Sequence, residues 1–193
     1  MERRFVLMAI ATAAASSAFA QTNPTAPGGA GAMKATTPSD AMATHAKRTM
    51  TVGALSLALS RIAEPRVKEA ALKQFVGFEI AEQETIADIL KEMATPEAKP
   101  SGMVPAPSES AVMDSLDAKG KEQVAKLRDM KAGMEFDRAY VRAQIEGHHE
   151  LLEIQETYLK TADNLDETNV AKLAKGMITE HLTLLGDIEK RIG

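Results

Sequence analysis

The sequence predicts an all-α fold, a four-helix bundle with a long crossover between its second and third helices. Three observations carry this. Aromatic residues make up only 4% of the 193 residues, with no Trp and no Cys, while Ala, Leu, Met, Glu and Lys abound. That composition favours helices over a sheet sandwich. Four stretches repeat apolar residues at helical spacing, and the second and third are separated by a segment, 95–110, holding four Pro and one Gly.

The elements follow in order. Residues 1–20 have the form of a signal peptide: Arg3 and Arg4, an apolar run from Phe5 to Ala15, and Ala-Phe-Ala ending at Ala20. The run is too short to span a bilayer, and cleavage is expected before Gln21. Residues 21–38, rich in Pro, Gly, Thr and Ala, are expected to form a flexible linker, leaving 39–193 as the bundle domain. Ser39 and Asp40 are cap candidates, but the apolar stripe sharpens only at Thr51, with Val52, Leu55, Ala58, Leu59 and Ile62. A second helix is expected from Pro65 to about Met93, since Pro is tolerated in a first turn. After the Pro-rich loop comes a weaker helix at 119–130, with Val124 and Leu127 inward, and then a break at Gly133. The third long helix covers 134–161, a turn occupies 163–166, and the fourth runs over 167–192.

Composition also excludes. Without Cys there is no disulfide scaffold, no cysteine-ligated metal, no thiol catalysis and no lipoprotein anchor. The net charge of −4 provides no basic field for nucleic acid. No phosphate loop, nucleophile elbow or Ser/His/Asp arrangement occurs. After signal removal no stretch approaches ~18 apolar residues in a row. The expected location is the periplasm or outer envelope.

Polar residues occupy positions where the core should be. At ~100° per residue, the second helix buries Leu72, Phe75, Val76, Ile86 and Leu90, with Glu79 and Gln83 inside that stripe and Glu82 on its flank. The third buries Phe136, Tyr140, Val141, Ile145, Leu151, Leu152 and Leu159, with Asp137, Gln144, His148 and Gln155 down the centre. The fourth buries Leu173, Ala174, Met177, Ile178, Leu184, Leu185 and Ile188 around His181. The first helix is expected to carry no ionisable group on its stripe. A buried carboxylate without a partner costs several kcal/mol against a total stability of ~5–15 kcal/mol, so these groups must satisfy one another or a ligand. Glu79, His148 and His181 each fall near the middle of their helix, which places all three at one level. Asp137, about 16 Å away along its helix, belongs to another site or a surface cap.

Two imidazoles and a carboxylate with open positions match a facial-triad iron or a catalytic zinc site. Gln83 and Gln144 are expected to orient the imidazoles, with Glu82 beside them. The alternative is a metal-free Glu–His–His–Gln network that specifies register, and no spacing motif names a metal, so the network is preferred. Glu146 and His149 have Glu-x-x-His spacing but share a face with Arg142 and Glu153, the solvated side. The scattered methionines read as core filling, and His45, alone near the linker, is expected to be exposed.

The run Phe136-Asp137-Arg138-Ala139-Tyr140-Val141, followed by His148 and His181, resembles an exported bacterial family of ferritin-like domains of unknown function, also described as predicted outer membrane proteins. Val67-Lys68, Phe75 and Glu82 fit the same family, and the resemblance spans roughly 41–192. It implies a ferritin-like bundle exported across the inner membrane. Two positions depart from it: Gln83 stands where relatives often carry a His, and Ser56 where the first helix usually offers a Glu. A ferritin-type dinuclear centre takes carboxylates from all four helices, and that count fails here. The expectation is therefore a non-enzymatic envelope or stress protein acting through an envelope partner. The alternative is a mononuclear site on Glu79, His148 and His181.

Overall fold

The computed structural model describes residues 39–193 apart from Pro96 and Pro100, so the expected signal peptide and linker lie outside the described residues. Every regular element among these residues is an α-helix: α1 Asp40–Ala63, α2 Ala70–Ala94, α3 Glu109–Asp114, α4 Ala118–Asp129, α5 Met134–Lys160 and α6 Leu165–Ile192. Local chemistry sets their starts. Ser39, Ser108, Asp117 and Asn164 each accept a backbone N–H from the first turn they precede. Glu69 caps α2 in the same way. Gly133, at φ 148°, turns the chain into α5 through a conformation that a side chain would resist.

Three boundaries differ from expectation. α1 begins at Asp40, eleven residues before the apolar stripe sharpens. Its first turns are buried through His45 and Thr49, which hydropathy does not register. Pro65 lies in the turn after α1, and α2 starts only at Ala70. The Pro-rich segment gives way to the short α3, too brief for a periodic signal.

Contacts fix the directions of the long helices. Ser56 meets Gln144 and Ser60 meets Tyr140, so α1 and α5 are antiparallel. Gly53 lies against Gln83 and Ser56 against Glu79, so α2 is also antiparallel to α1. Lys175 pairs with Glu156 and His181 with His148, which makes α5 and α6 antiparallel too. α2 and α5 therefore run in the same direction. The chain joining them has to travel back along the full length of the helices, and α3 and α4 do so packed on α1.

The apolar interior is split in two. One cluster holds Leu57, Phe75, Val76, Phe136, Tyr140, Val141 and Leu185; the other holds Val52, Leu151, Ile154, Ala174 and Ile178. On α5, His148 falls between Val141 and Leu151, and on α6, His181 falls between Ile178 and Leu185. A polar layer thus separates the two clusters. Two leucines expected inside are outside: Leu173 is 68% exposed and Leu184 43%. The inward face of α6 is rotated toward Val170, Ala171 and Ala174. Leu152, Leu159 and Met177 are half-buried at the margins.

Candidate metal centre

Within the polar layer, α2, α5 and α6 each contribute one ionisable side chain. Glu79, His148 and His181 are all buried, and their ligand atoms lie close enough together to hold one ion. Glu79 Oε2 lies 3.1 Å from His148 Nε2 and 2.9 Å from His181 Nδ1, and the two nitrogens are 3.2 Å apart. An ion about 2.1 Å from each atom would sit about 1 Å to one side of this triangle, leaving its remaining coordination positions open. Any cation of this size bound by nitrogen and oxygen donors fits, iron and zinc included.

The surroundings orient each ligand. His148 Nδ1–H donates to the Gln144 backbone carbonyl at 2.8 Å, which turns Nε2 toward the triangle. Because a carbonyl only accepts, that proton is committed, and Nε2 of the neutral ring presents a lone pair. His181 Nε2 faces Glu82 Oε2 at 3.3 Å, on the side of the ring away from Glu79, so Glu82 orients the imidazole and is remote from the converging atoms. Ser56 Oγ donates to Glu79 Oε1 at 2.5 Å. The Gln144 amide donates to the Ser56 carbonyl at 3.2 Å and to Ser60 Oγ at 3.1 Å, and Ser60 shares a 2.8 Å hydrogen bond with Tyr140. Phe75 closes the apolar side, edge-on to His181 at 5.1 Å between centroids and 6.0 Å from His148.

These partners reshape the electrostatics. Burial alone would raise the Glu79 carboxyl, but when the imidazoles are protonated and no ion is bound, their hydrogen bonds and that of Ser56, with the charge of His148, hold it well below the usual carboxylate range. Burial pushes Glu82 up to about 7, against the opposing pull of His181 and with help from the Glu79 charge. Burial would lower His181, yet the hydrogen bond and charge of Glu79, with Glu82, raise it. At neutral pH the layer is anionic at Glu79 and attracts positive charge, whether a proton or a metal.

The remaining residues singled out by sequence fall in several places. Gln83 is buried but makes no hydrogen bond among the described residues, and it lies against Gly53 rather than against either imidazole. Gln144 reaches His148 through its backbone carbonyl, with its side chain serving α1. Asp137 is buried in the first turn of α5 with Oδ1 unpartnered, and burial together with the nearby Glu69 charge raises its carboxyl. Glu146 and His149 are exposed, and Glu146 pairs loosely with Lys119.

The expectation for His45 needs correction. It is only 3% exposed, with Nδ1 against Glu167 and Nε2 2.6 Å from Gln155 Oε1, and it stacks on Tyr158. The first helix therefore does carry an ionisable group inward. Glu167 and the Ser60 and Thr49 hydroxyls, which the sequence pattern does not single out, are buried too, and Ser56, noted only as a departure from the family, turns its hydroxyl to Glu79. The available signal was the spacing of His45, Thr49, Ser56 and Ser60 at steps of four, seven and four, a helical stripe written in polar residues.

The model of a family described as Domain of unknown function (DUF4142) matches residues 27–188. The chain belongs to the DUF4142 family. No curated protein matches it. Among solved structures, the crystal structure of a DUF305 fragment from Deinococcus radiodurans is similar to it, with a TM-score of 0.63 at 14% identity, covering 80% of this chain and 98% of that one. At that identity the likeness shows the shared helical fold of the DUF4142 chain and nothing about its chemistry.

Proposed function

We propose that this DUF4142 protein is an exported, ferritin-like helical bundle that binds one metal ion through Glu79, His148 and His181. The observation that carries this is the convergence of three lone-pair atoms at 2.9 to 3.2 Å from one another in a dry interior. One proton placed among them serves one donor–acceptor pair well, whereas a divalent cation satisfies all three atoms at once. Two imidazoles and a carboxylate suit iron or zinc. The Gln144 carbonyl behind His148 accepts the outer hydrogen bond that a metal-bound imidazole uses, and the Glu82 carboxylate lies 3.3 Å behind His181. Ser56 stands beside Glu79 where a further carboxylate would be needed for a dinuclear centre, which favours a single ion.

The ferritin-like assignment is supported by α2 and α5 running in the same direction with a long connection between them. Export is supported by the basic and apolar pattern of residues 1–20, and a tether by the composition of 21–38. No helix among the described residues is long and apolar enough to cross a membrane.

The test is metal content of protein isolated from the periplasm and again after dialysis against Zn2+ or Fe2+. About one ion per wild-type chain, lost in His148→Ala and Glu79→Gln, is the expected result. A second reading, a metal-free network in a non-enzymatic envelope protein with an envelope partner, is favoured by the hydrogen-bond circuit that already joins Ser56, Gln144, Ser60 and Tyr140 to the layer. Wild-type protein that takes up no ion, with a melting temperature indifferent to Zn2+, establishes that reading and ends the first.

A further inference from the structure

The crossover does not lie flat on α1 and α2. Between them is a groove of about 440 Å³, walled by both helices and roofed by the chain around Pro105 and Pro107 and by α3. It extends alongside α1 from Thr49 to Leu57, roughly 12 Å. Leu57, Ile86 and Val112 line its apolar depth, while Lys91 and Asp88 sit together at its rim as side chains of opposite charge, so the groove offers no net charge to a ligand. Its volume lies within the range that holds a small organic ligand.

One polar group looks into this apolar space. Gln83 is 6% exposed, lines the groove, and its amide has no hydrogen-bond partner among the described residues. The amide is not sealed from solvent, so water can pair with it in the open groove, and a ligand that displaces that water must bring a hydrogen-bonding group of its own. Gly53 leaves room for it: a Cβ at position 53 would come within 2.4 Å of Gln83 Oε1 and push the end of the amide away from α1.

We propose that the groove binds a small, neutral, largely apolar molecule bearing one hydrogen-bonding group, such as an alcohol, phenol, amine or ketone, which pairs with the Gln83 amide. The apolar body lies against Leu57, Ile86 and Val112, and the crossover serves as the wall that completes the pocket. The site stands apart from Glu79, His148 and His181, none of which lines it.

The experiment uses the full chain in EDTA, so its outcome is independent of metal binding. Titration with N-phenyl-1-naphthylamine, a neutral fluorescent probe with a single N–H, is expected to saturate at one site. 1-Phenylnaphthalene, which lacks the N–H, should bind several-fold more weakly. Gln83→Leu should erase that preference. Ala111→Trp and Ala106→Trp, which place a large side chain into the groove from exposed positions, should each weaken the probe at least tenfold with the melting temperature unchanged. Three results overturn the proposal: binding that does not saturate; affinity that survives both tryptophans; or equal affinity for the two probes in wild type.

Discussion

The molecule contains two buried histidine clusters, and they differ in the one property that matters for ligand binding. Around Glu79, nitrogen and oxygen atoms from three helices point at a single spot, with His148 and His181 both facing the same carboxylate oxygen. Around His45, the two ring nitrogens face opposite ways, one toward Glu167 on α6 and the other toward Gln155 on α5, whose amide continues to Thr49 at 3.1 Å. The first arrangement is a focus and the second a chain of links across three helices. Burial and residue type are alike in both, so neither separates the two clusters; convergence does.

The largest effect that probes this contrast is His45→Ala. Removing one partner of a buried pair leaves Glu167 uncompensated and costs about 3–5 kcal/mol, yet metal content should stay at the wild-type level. Urea unfolding beside metal analysis checks both halves, and loss of the ion in this variant would erase the distinction between the clusters. Ser56→Ala comes next. It removes a hydrogen bond to an ionised carboxylate, worth ~1.5–3 kcal/mol, and should weaken metal affinity by about 10- to 100-fold as outer partners of ligands do. Competition with a chelator reads this directly, and an unchanged affinity would assign Ser56 to packing alone.

The smallest effect is a pH slope in the metal-free protein. Glu82 ionises near its ordinary 4.5 in the unfolded chain and near 7 in the folded one. Between those values the folded state holds the extra proton, so stability falls as pH rises across that window. His181, raised above 6.5 in the folded protein, contributes in the same sense: its share is complete below 6.5 and lost as pH rises through its folded value. Glu82→Gln should flatten the slope between pH 5 and 7 in thermal melts. His45→Ala should leave it intact, and a slope that persists without Glu82 would place its origin elsewhere.

How much of this was legible in the sequence follows from what hydrophobic periodicity can register. Glu79, His148 and His181 stand out because each interrupts a stripe of large apolar residues, and their positions at mid-helix gave the shared level. His45 did not stand out because the stripe around it is itself built of Thr, Ser and His, and periodicity weighted by hydropathy is blind to such a face. Leu173 and Leu184 misled for the opposite reason. They are apolar, but the inward face of α6 is filled by Val170, Ala171, Ala174 and Ile178, which leaves these two leucines on the outer side. Spacing alone puts the Gln83 amide beside the imidazoles; the space left by Gly53, thirty residues away, lets it lie against α1 instead, which no local pattern records. The groove is invisible to sequence because it arises where an irregular segment fails to pack.

The direction of the long helices has one more consequence. α1 and α2 form one hairpin, α5 and α6 another, each closed by a short turn. Both imidazoles ride on the second hairpin and the carboxylate on the first. The three-atom focus therefore exists only while the two hairpins are docked, and on the proposed reading an ion held there would clasp one half to the other.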